Sequence, residues 1–328
     1  MPLRGILASD DGEVAVPRVS FGRTLSIATP NAHSGEGARG ADIVERVLTD
    51  DISRTSSLDI RLTSGVGNGK ELAASSAGYD TVIIVGGDGV IHEAVNGLME
   101  IPEEERPRIG IVPMGTGNDF ARTLSIPRGD PELAIRRVLS GREEHVDLGL
   151  VNGVYFTETL SFGLDALIAI DTIERRREGS TQKGAALFAT SGVKIMAQAD
   201  EGWAYTARFD GIETISGNEV IFAVQNGPTY GGGFRICPKA TPTDGLLDVC
   251  YSTHTPSIPV VLGLVGAARF GMHAGAKSVR MRQVRTLEIE FPVEPPCQVD
   301  GEVLRGSVFD ISVVPRAIRV IVPTVTNL

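Results

Sequence analysis

The sequence predicts two structural units: an α/β unit with a parallel sheet over residues 23–149, and a mostly β unit over residues 150–315. Three observations lead there. Up to Gly149, short apolar runs alternate with helical patterns, as in strands joined by crossover helices. Beyond Gly149, short strand-like runs are separated by turn residues. A chain of 328 residues is also long for a single core.

The first strand is expected over residues 24–28, followed by the polar run Asn31-Ala32-His33-Ser34-Gly35. Helices are expected over residues 41–49 and 69–77, with Gly65-Val66-Gly67-Asn68-Gly69 a flexible turn before the second. No Gly-Lys-Ser/Thr sequence occurs, so this run is not a Walker loop. Residues 82–85 are unbroken apolar, as in a strand buried on both faces. The chain then turns through Gly86-Gly87-Asp88-Gly89 into a helix over residues 90–98, with Ile91, Val95 and Leu98 at helical spacing. Another buried strand, 109–112, leads into Pro113-Met114-Gly115-Thr116-Gly117-Asn118-Asp119-Phe120-Ala121-Arg122. The helix over 131–139 is marked by Asp130 as N-cap and Pro131 at its first position.

In the second unit, strands are expected over residues 154–160, 204–209, 219–225, 247–252, 278–282, 286–290, 307–314 and 318–322. Asp210-Gly211 and Ser216-Gly217-Asn218 read as turns, and helices are expected near 184–197 and 259–270. No internal repeat is present.

A strand, a glycine turn and a helix start form a phosphate cradle, because backbone N–H groups converge where no side chain intervenes. Asp88 inside that cradle is unfavourable beside a polyphosphate unless a cation lies between them or the carboxylate handles a proton. Three polar loops at the ends of parallel strands meet where open α/β sheets bind ligands. Other motifs are open to two readings. Asp300-Gly301 is an ordinary hairpin tip or a proton acceptor. Asp244-Gly245-Leu246-Leu247-Asp248 is a turn before a strand or a hard-cation site. Tyr230-Gly231-Gly232-Gly233-Phe234 is a flexible loop or lets the second unit approach a phosphate. Arg175-Arg176-Arg177 is a solvated helix face or touches lipid headgroups, and residues 185–196 pack a core or line an acyl pocket.

A net charge of -10 argues against nucleic acid as a partner and gives no general attraction to anionic membranes. Cys237, Cys250 and Cys297 have neither metal spacing nor a disulfide framework, which fits a reducing cytoplasm. The five histidines form no ligand pair. The N-terminus carries Asp10, Asp11 and Glu13 and no long apolar core, unlike a signal peptide. The apolar run 260–268 is too short to span a bilayer. Any membrane contact is therefore expected to be peripheral.

The order and spacing of these motifs resemble the diacylglycerol kinase catalytic family, which takes in bacterial soluble diacylglycerol kinases and eukaryotic sphingosine and ceramide kinases. The resemblance runs from Arg23 to the C-terminus, through Asn31 to Gly35, Gly86 to Gly97, Pro113 to Arg122, Phe162-Gly163-Leu164-Asp165, Asn226-Gly227 with the triple glycine, Asp244 to Asp248, and Asp300-Gly301-Glu302. It implies a three-layer α/β nucleotide-binding domain like that of NAD kinases, followed by a β-sandwich-type lipid-binding domain. Residues 1–22 are then an N-terminal extension, and a strand at about 316–328 returns to the first domain.

The implied activity is ATP- and magnesium-dependent transfer of phosphate to a lipid hydroxyl, diacylglycerol being favoured over sphingoid or other lipids. The implied nucleotide contacts are Asn31, Thr63, Gly86, Gly87, Asp88, Gly89, Gly115, Thr116 and Asn118, the two asparagines orienting the nucleotide or bracing loops. Asp300 is the first candidate base, supported by Glu302, with Asp88 the alternative known from the sphingosine kinase branch. Asp300→Asn is expected to keep the fold and lose turnover. Asp244, with carbonyls near Thr241 and Leu246, is implied to hold a structural magnesium. A homodimer is a further implication. The chain departs from the usual pattern at Val90, where Thr or Leu is common, and at His92-Glu93, which is closer to the sphingosine kinase branch. The rival readings are an NAD kinase and a nucleotide-binding regulator without transfer activity.

Overall fold

The computed structural model describes residues 20–30, 37–50, 54–177, 202–252 and 257–324. Its first four strands, β1 (Gly22–Ala28), β2 (Thr55–Leu62), β3 (Thr81–Gly86) and β4 (Arg108–Pro113), are parallel in the order β2-β1-β3-β4. Every residue of β3 is buried, as its unbroken apolar run requires of a strand covered on both faces. The covering helices are α1 (Gly37–Asp50), α2 (Asn68–Ala74), α3 (Asp88–Leu98), the short α4 (Asp119–Thr123) and α5 (Pro131–Leu139). They pack as two pairs, α1 with α5 and α2 with α3. The Asp130 side chain caps α5 by accepting the Leu133 N–H at 2.9 Å.

The chain then enters β5 (Arg142–Val151), β6 (Val154–Phe156), β7 (Thr159–Gly163) and helix α6 (Leu164–Arg177). After β8 (Trp203–Phe209), β9 (Glu213–Glu219), β10 (Ile221–Gln225) and β11 (Leu247–Ser252) comes helix α7 (Ile258–Ala268). The remaining strands are β12 (Val279–Val284), β13 (Thr286–Glu290), β14 (Cys297–Val299), β15 (Glu302–Val303) and the long β16 (Val308–Val322). A six-stranded antiparallel sheet runs β12-β11-β10-β7-β14-β15. It faces the β16-β13-β8 region of the larger sheet across an aromatic core. Phe162 on β7 meets Phe309 on β16, ring centroids 4.8 Å apart. The architecture is the expected α/β layer joined to a β-sandwich.

One strand serves both parts. The first half of β16 is antiparallel to β13, while Val320 pairs in parallel with Ile109 of β4. Its register shifts between Val314 and Ile318, where Arg316 adopts φ 54. The expected strands 307–314 and 318–322 are thus one kinked strand. Other expectations change too. The run 154–160 splits into β6 and β7 around Thr157-Glu158. Ser216-Gly217-Asn218 lies inside β9 rather than in a turn, paired with Thr206, Tyr205 and Ala204 of β8. Asn68 already opens α2, and α3 starts at Asp88 rather than Val90. The expected helix near 184–197 lies outside the described residues.

Candidate active site

β3 ends at Gly86 and α3 begins at Asp88, with extended Gly87 at the N-cap and no side-chain cap. The first-turn N–H groups of α3 thus have no side-chain cap, the arrangement that lets a helix start receive an anion. A Cβ on Gly87 would stand 2.9 Å from the Gly115 Cα, so the two strand-end loops touch backbone to backbone. Glycine at both positions permits that approach. Asn118 (φ 50) locks the second loop: its Oδ1 accepts the Gly115 N–H at 2.8 Å and its amide donates to the Gly115 carbonyl at 2.7 Å. Its observed contacts are those of a brace. Thr116 is exposed at the loop tip. Thr63 is buried just past β2, its hydroxyl donating to Thr29 at 3.3 Å. Gly86 closes β3, and Gly89 has open space where a Cβ would stand. Asn31 lies outside the described residues.

Acids from both units converge on these loops. Asp88 accepts a long hydrogen bond from the Phe120 N–H at 3.4 Å, and the Asn118 N–H also lies near it. Burial, then the neighbouring charge of Asp119, pushes its pKa up to about 7. Asp119 is better served. Its Oδ2 accepts the Gly232 N–H at 2.7 Å, and its Oδ1 faces the Thr229 hydroxyl at 3.2 Å and Arg122 at 3.4 Å. Arg122 also donates to the carbonyls of Gly117 and Gly232. The Gly231–Gly233 loop is therefore pinned against the α/β unit. Glu158, between β6 and β7, is buried with no hydrogen-bond partner for either oxygen. Burial holds its pKa well above the carboxylate range; the nearby Thr123 hydroxyl opposes this, and Asp119, Asp300 and Asp88 add to it.

Asp300 has the opposite setting. Asp300 (φ 47) and Gly301 (φ 91) form the tip of the β14–β15 hairpin, as a type I′ turn requires. The carboxylate lies within hydrogen-bonding distance of five donors: the N–H and hydroxyl of Thr157, the N–H groups of Glu158 and Thr159, and His92 Nδ1 at 3.2 Å. Burial raises its pKa, but the His92 hydrogen bond and charge and these N–H groups outweigh it, and the net shift is downward. His92 in turn is raised: burial opposes its charge, and Asp300, Glu302 and Glu93 overcome that. One helical turn further along α3, Asn96 pairs through its amide with both backbone groups of Tyr155, each at 2.9 Å. One face of α3 thus carries Asp88, His92 and Asn96 against the second unit. Glu302 is exposed on β15.

A second acidic point lies at the 241–248 loop. Asp244 Oδ1 accepts the Leu246 N–H at 3.0 Å, while Asp244 and Asp248 both turn an oxygen to the Gln283 amide, at 3.4 and 3.2 Å. Burial and Asp244 raise the Asp248 pKa, against the Gln283 hydrogen bond. The Gln283 amide N–H groups thus reach both carboxylates. Thr241 is engaged with Thr243, hydroxyl to hydroxyl at 3.2 Å. Buried Asp147 anchors this loop to the β16 kink, accepting the N–H groups of Gly245 and Arg316, each at 2.7 Å.

An apolar cavity of about 90 Å³ lies between α6, α7 and the six-stranded sheet, lined by Leu164, Ile168, Ile221, Phe234 and Leu264. Within its lining, Asp165 accepts the Tyr230 hydroxyl at 2.6 Å, and burial raises its pKa to about 6. Tyr230 and Phe234 flank the glycine loop that touches Asp119, so one loop borders cavity and crevice. Arg175 pairs with Asp171 on its own helix at 3.8 Å, and the side chains of Arg176 and Arg177 lie outside the described residues, as do residues 185–196.

The structure therefore gathers Asp88, Gly87, Gly115, Asn118 and Asp300 at one seam and sets Asp244 apart with Asp248. The sequence reading missed Asp119, His92, Asp147 and Glu158 as site residues. Asp119 and His92 sat inside quoted motifs; a paired Thr-Glu between two apolar runs was the one signal for Glu158.

The Diacylglycerol kinase catalytic domain matches residues 27–151, and the YegS C-terminal NAD kinase beta sandwich-like domain matches residues 158–322. A Yersinia enterocolitica protein named "Probable lipid kinase YegS-like" is 32% identical over 271 residues, 81% of this chain and 87% of that protein. A Yersinia pseudotuberculosis protein of the same name is 32% identical over 270 residues, with the same coverage of 81% and 87%. The crystal structure of a Bacillus anthracis diacylglycerol kinase superposes with a TM-score of 0.74 over 92% of this chain and 96% of that one. At 23% identity, that likeness concerns the fold.

Proposed function

The chain belongs to the diacylglycerol kinase catalytic family, and from that premise we propose that it is an ATP-dependent lipid kinase. It carries the γ-phosphate of ATP to a lipid hydroxyl, with diacylglycerol as acceptor and phosphatidic acid as product. The observation that carries the reading is the seam itself. A cradle of backbone N–H groups meets Asp88, Asp119, Glu158 and Asp300 there, contributed by both units. Phosphoryl transfer needs positioning and charge stabilisation above all.

In this reading the first turn of α3 and the Gly115–Gly117 loop hold phosphate oxygens, and Thr116 adds a hydroxyl. Asp88 takes the acceptor's proton. Its proton affinity lies near neutrality, where a general base works best. Asp300 is the weaker candidate, because five donors already occupy its lone pairs. It acts by fixing the Thr157–Thr159 backbone and His92 around the reacting centre, with Glu302 adding charge near His92. Asp119 and Glu158 are the residues that would hold the nucleotide's magnesium; the orphaned oxygens of Glu158 fit a cation. That ion supplies neutralisation of phosphate charge. Asp244, joined by Asp248 and the carbonyls of Thr241 and Leu246, is the candidate structural magnesium site. The acyl chains occupy the apolar cavity, and the Asp165–Tyr230 pair hydrogen-bonds the polar head.

No helix among the described residues is long and apolar enough to cross a membrane, and the lipid is met peripherally in this reading. The test is a transfer assay with γ-labelled ATP and magnesium on micelles carrying diacylglycerol, phosphatidylglycerol, ceramide or sphingosine, with Asp88→Asn alongside. Label in diacylglycerol, absent in the variant, is expected. Label in another lipid alone corrects the acceptor. Label in NAD and in no lipid makes the chain an NAD kinase, and label in nothing despite ATP binding makes it a regulator.

A further inference from the structure

Helix α7 has no polar side chain in its eleven residues, Ile258–Ala268, yet it is far from fully buried. Val261, Leu264, Val265 and Ala268 face inward and line the apolar cavity. Val260 and Leu262 are 46% and 47% exposed, and the turn that follows sets out Phe270 and Met272 at 72% and 73%. Gly271 (φ 71) bends the chain between these last two. A single exposed apolar side chain is ordinary, but four on one helix and its exit turn mark a contact surface.

The charge around it is as distinctive. Residues 249–287 contain no Asp or Glu but hold Arg269, Lys277, Arg280, Arg282 and Arg285, in a chain with 41 acidic and 31 basic residues. Arg282 is taken up by Glu213 and the Phe209 ring, and Arg285 lies past the far end of β12. Arg269, at the α7 C-terminus, donates to the Gly233 carbonyl and lies over the Phe234 ring, and with the exposed Lys277 and Arg280 it forms a basic rim.

We propose that α7, Phe270 and Met272, with this rim, dock the protein on an anionic phospholipid bilayer. An apolar helix face with basic flanks has the composition of an interfacial anchor. A second copy is the poorer occupant: in a two-fold contact the patch would meet itself, bringing Arg269, Lys277 and Arg280 close to their own counterparts. The position supplies the purpose. The inner face of α7 walls the cavity, so docking on its outer face places the cavity at the membrane surface, and a lipid acceptor passes along the helix without crossing water. This last step rests on the lipid kinase reading; the docking itself does not.

The experiment is co-sedimentation of the full chain with vesicles of phosphatidylcholine alone or mixed with phosphatidylglycerol. The wild type is expected to pellet with the mixed vesicles. Phe270→Asp with Met272→Asp should weaken that binding at least about tenfold. Lys277→Glu with Arg280→Glu should remove the preference for the anionic mixture. Turnover of a monomeric short-chain diacylglycerol should stay within about twofold in both, since neither pair lies in the crevice. Failure of the wild type to bind, or equal binding by the apolar double variant, overturns the proposal. So does a wild-type dimer that Phe270→Asp with Met272→Asp splits, which would make a second copy the occupant. Vesicle binding lost in the variants while no lipid is ever labelled keeps the docking surface and removes the kinase reading. Labelled lipid with unaltered vesicle binding does the reverse.

Discussion

Asp88 and Asp300 are the same side chain in opposite surroundings. Asp88 is buried with carboxylates beside it and only weak backbone hydrogen bonds to oppose them, so its pKa rises to about 7. Asp300 has five donors and a histidine, so its pKa falls below the usual range. As base, Asp88 must be unprotonated, and kcat/KM is expected to climb with pH through about 7 and then level. Asp88→Asn should remove that limb and lower kcat by about 10²–10⁴-fold. A pH–rate profile of the two proteins decides it, and a limb that survives in the variant rules Asp88 out. Asp300, with a depressed folded pKa, contributes stability that is present above the ordinary Asp value. That stability is lost as pH falls through the folded pKa. Asp300→Asn replaces one acceptor oxygen with an NH2 group facing donors, at a cost of about 3 kcal/mol. The variant is thus expected to melt lower, contrary to the expectation from sequence of an intact fold without turnover. An unchanged Tm would contradict this account of Asp300. The turn at Asp300 was legible because Asp-Gly announces it, but only the family resemblance marked its carboxylate as a site residue. Its partners were not legible, since Thr157 lies 143 positions away and nothing in a local pattern records such a distance.

Elements were legible where one local rule decided them. The uniform apolar run gave β3, the Asp-Pro start gave α5, and Asp210-Gly211 gave a tight turn. Where tertiary pairing decided, local rules misled. β9 reads as a polar turn because its Ser, Gly and Asn have no intrinsic strand preference, yet pairing with β8 extends it. Gly97 shows the same conflict inside a helix. On propensity, Ala in its place would strengthen α3 by about 1 kcal/mol. A Cβ there would stand 2.1 Å from the Lys70 carbonyl oxygen on α2, so the helices must part. Gly97→Ala is expected to destabilise by about 2 kcal/mol net, read as a lower midpoint in urea. A stabilised variant would mean that α2 yields freely.

At the scale of the molecule, the two units are joined by a strand and by hydrogen bonds at their seam. The Asp119–Gly232, His92–Asp300 and Asn96–Tyr155 contacts all cross from the α/β unit to the part that follows it. A chain cut after Val314 would keep every candidate acid but lose the half of β16 that pairs with β4. It is expected to be aggregation-prone and to lack a cooperative thermal transition, because an open apolar strand edge is left behind. Calorimetry checks this; a sharp, wild-type transition would show that β4 needs no neighbour on that side. The α/β-then-β fold class was readable from the change in strand texture along the chain, whereas the single kinked strand was not, since Pro315 reads as a break between two strands. That shared strand also sets a clock on biosynthesis. Ile109 emerges early, but its partner Val320 is made only after the whole second unit. At ribosomal rates this leaves the nascent sheet unfinished for roughly 10–40 s. The first half of the protein therefore completes its fold only after the second has been made, and a cell making it in quantity must shield that edge until Val320 has appeared.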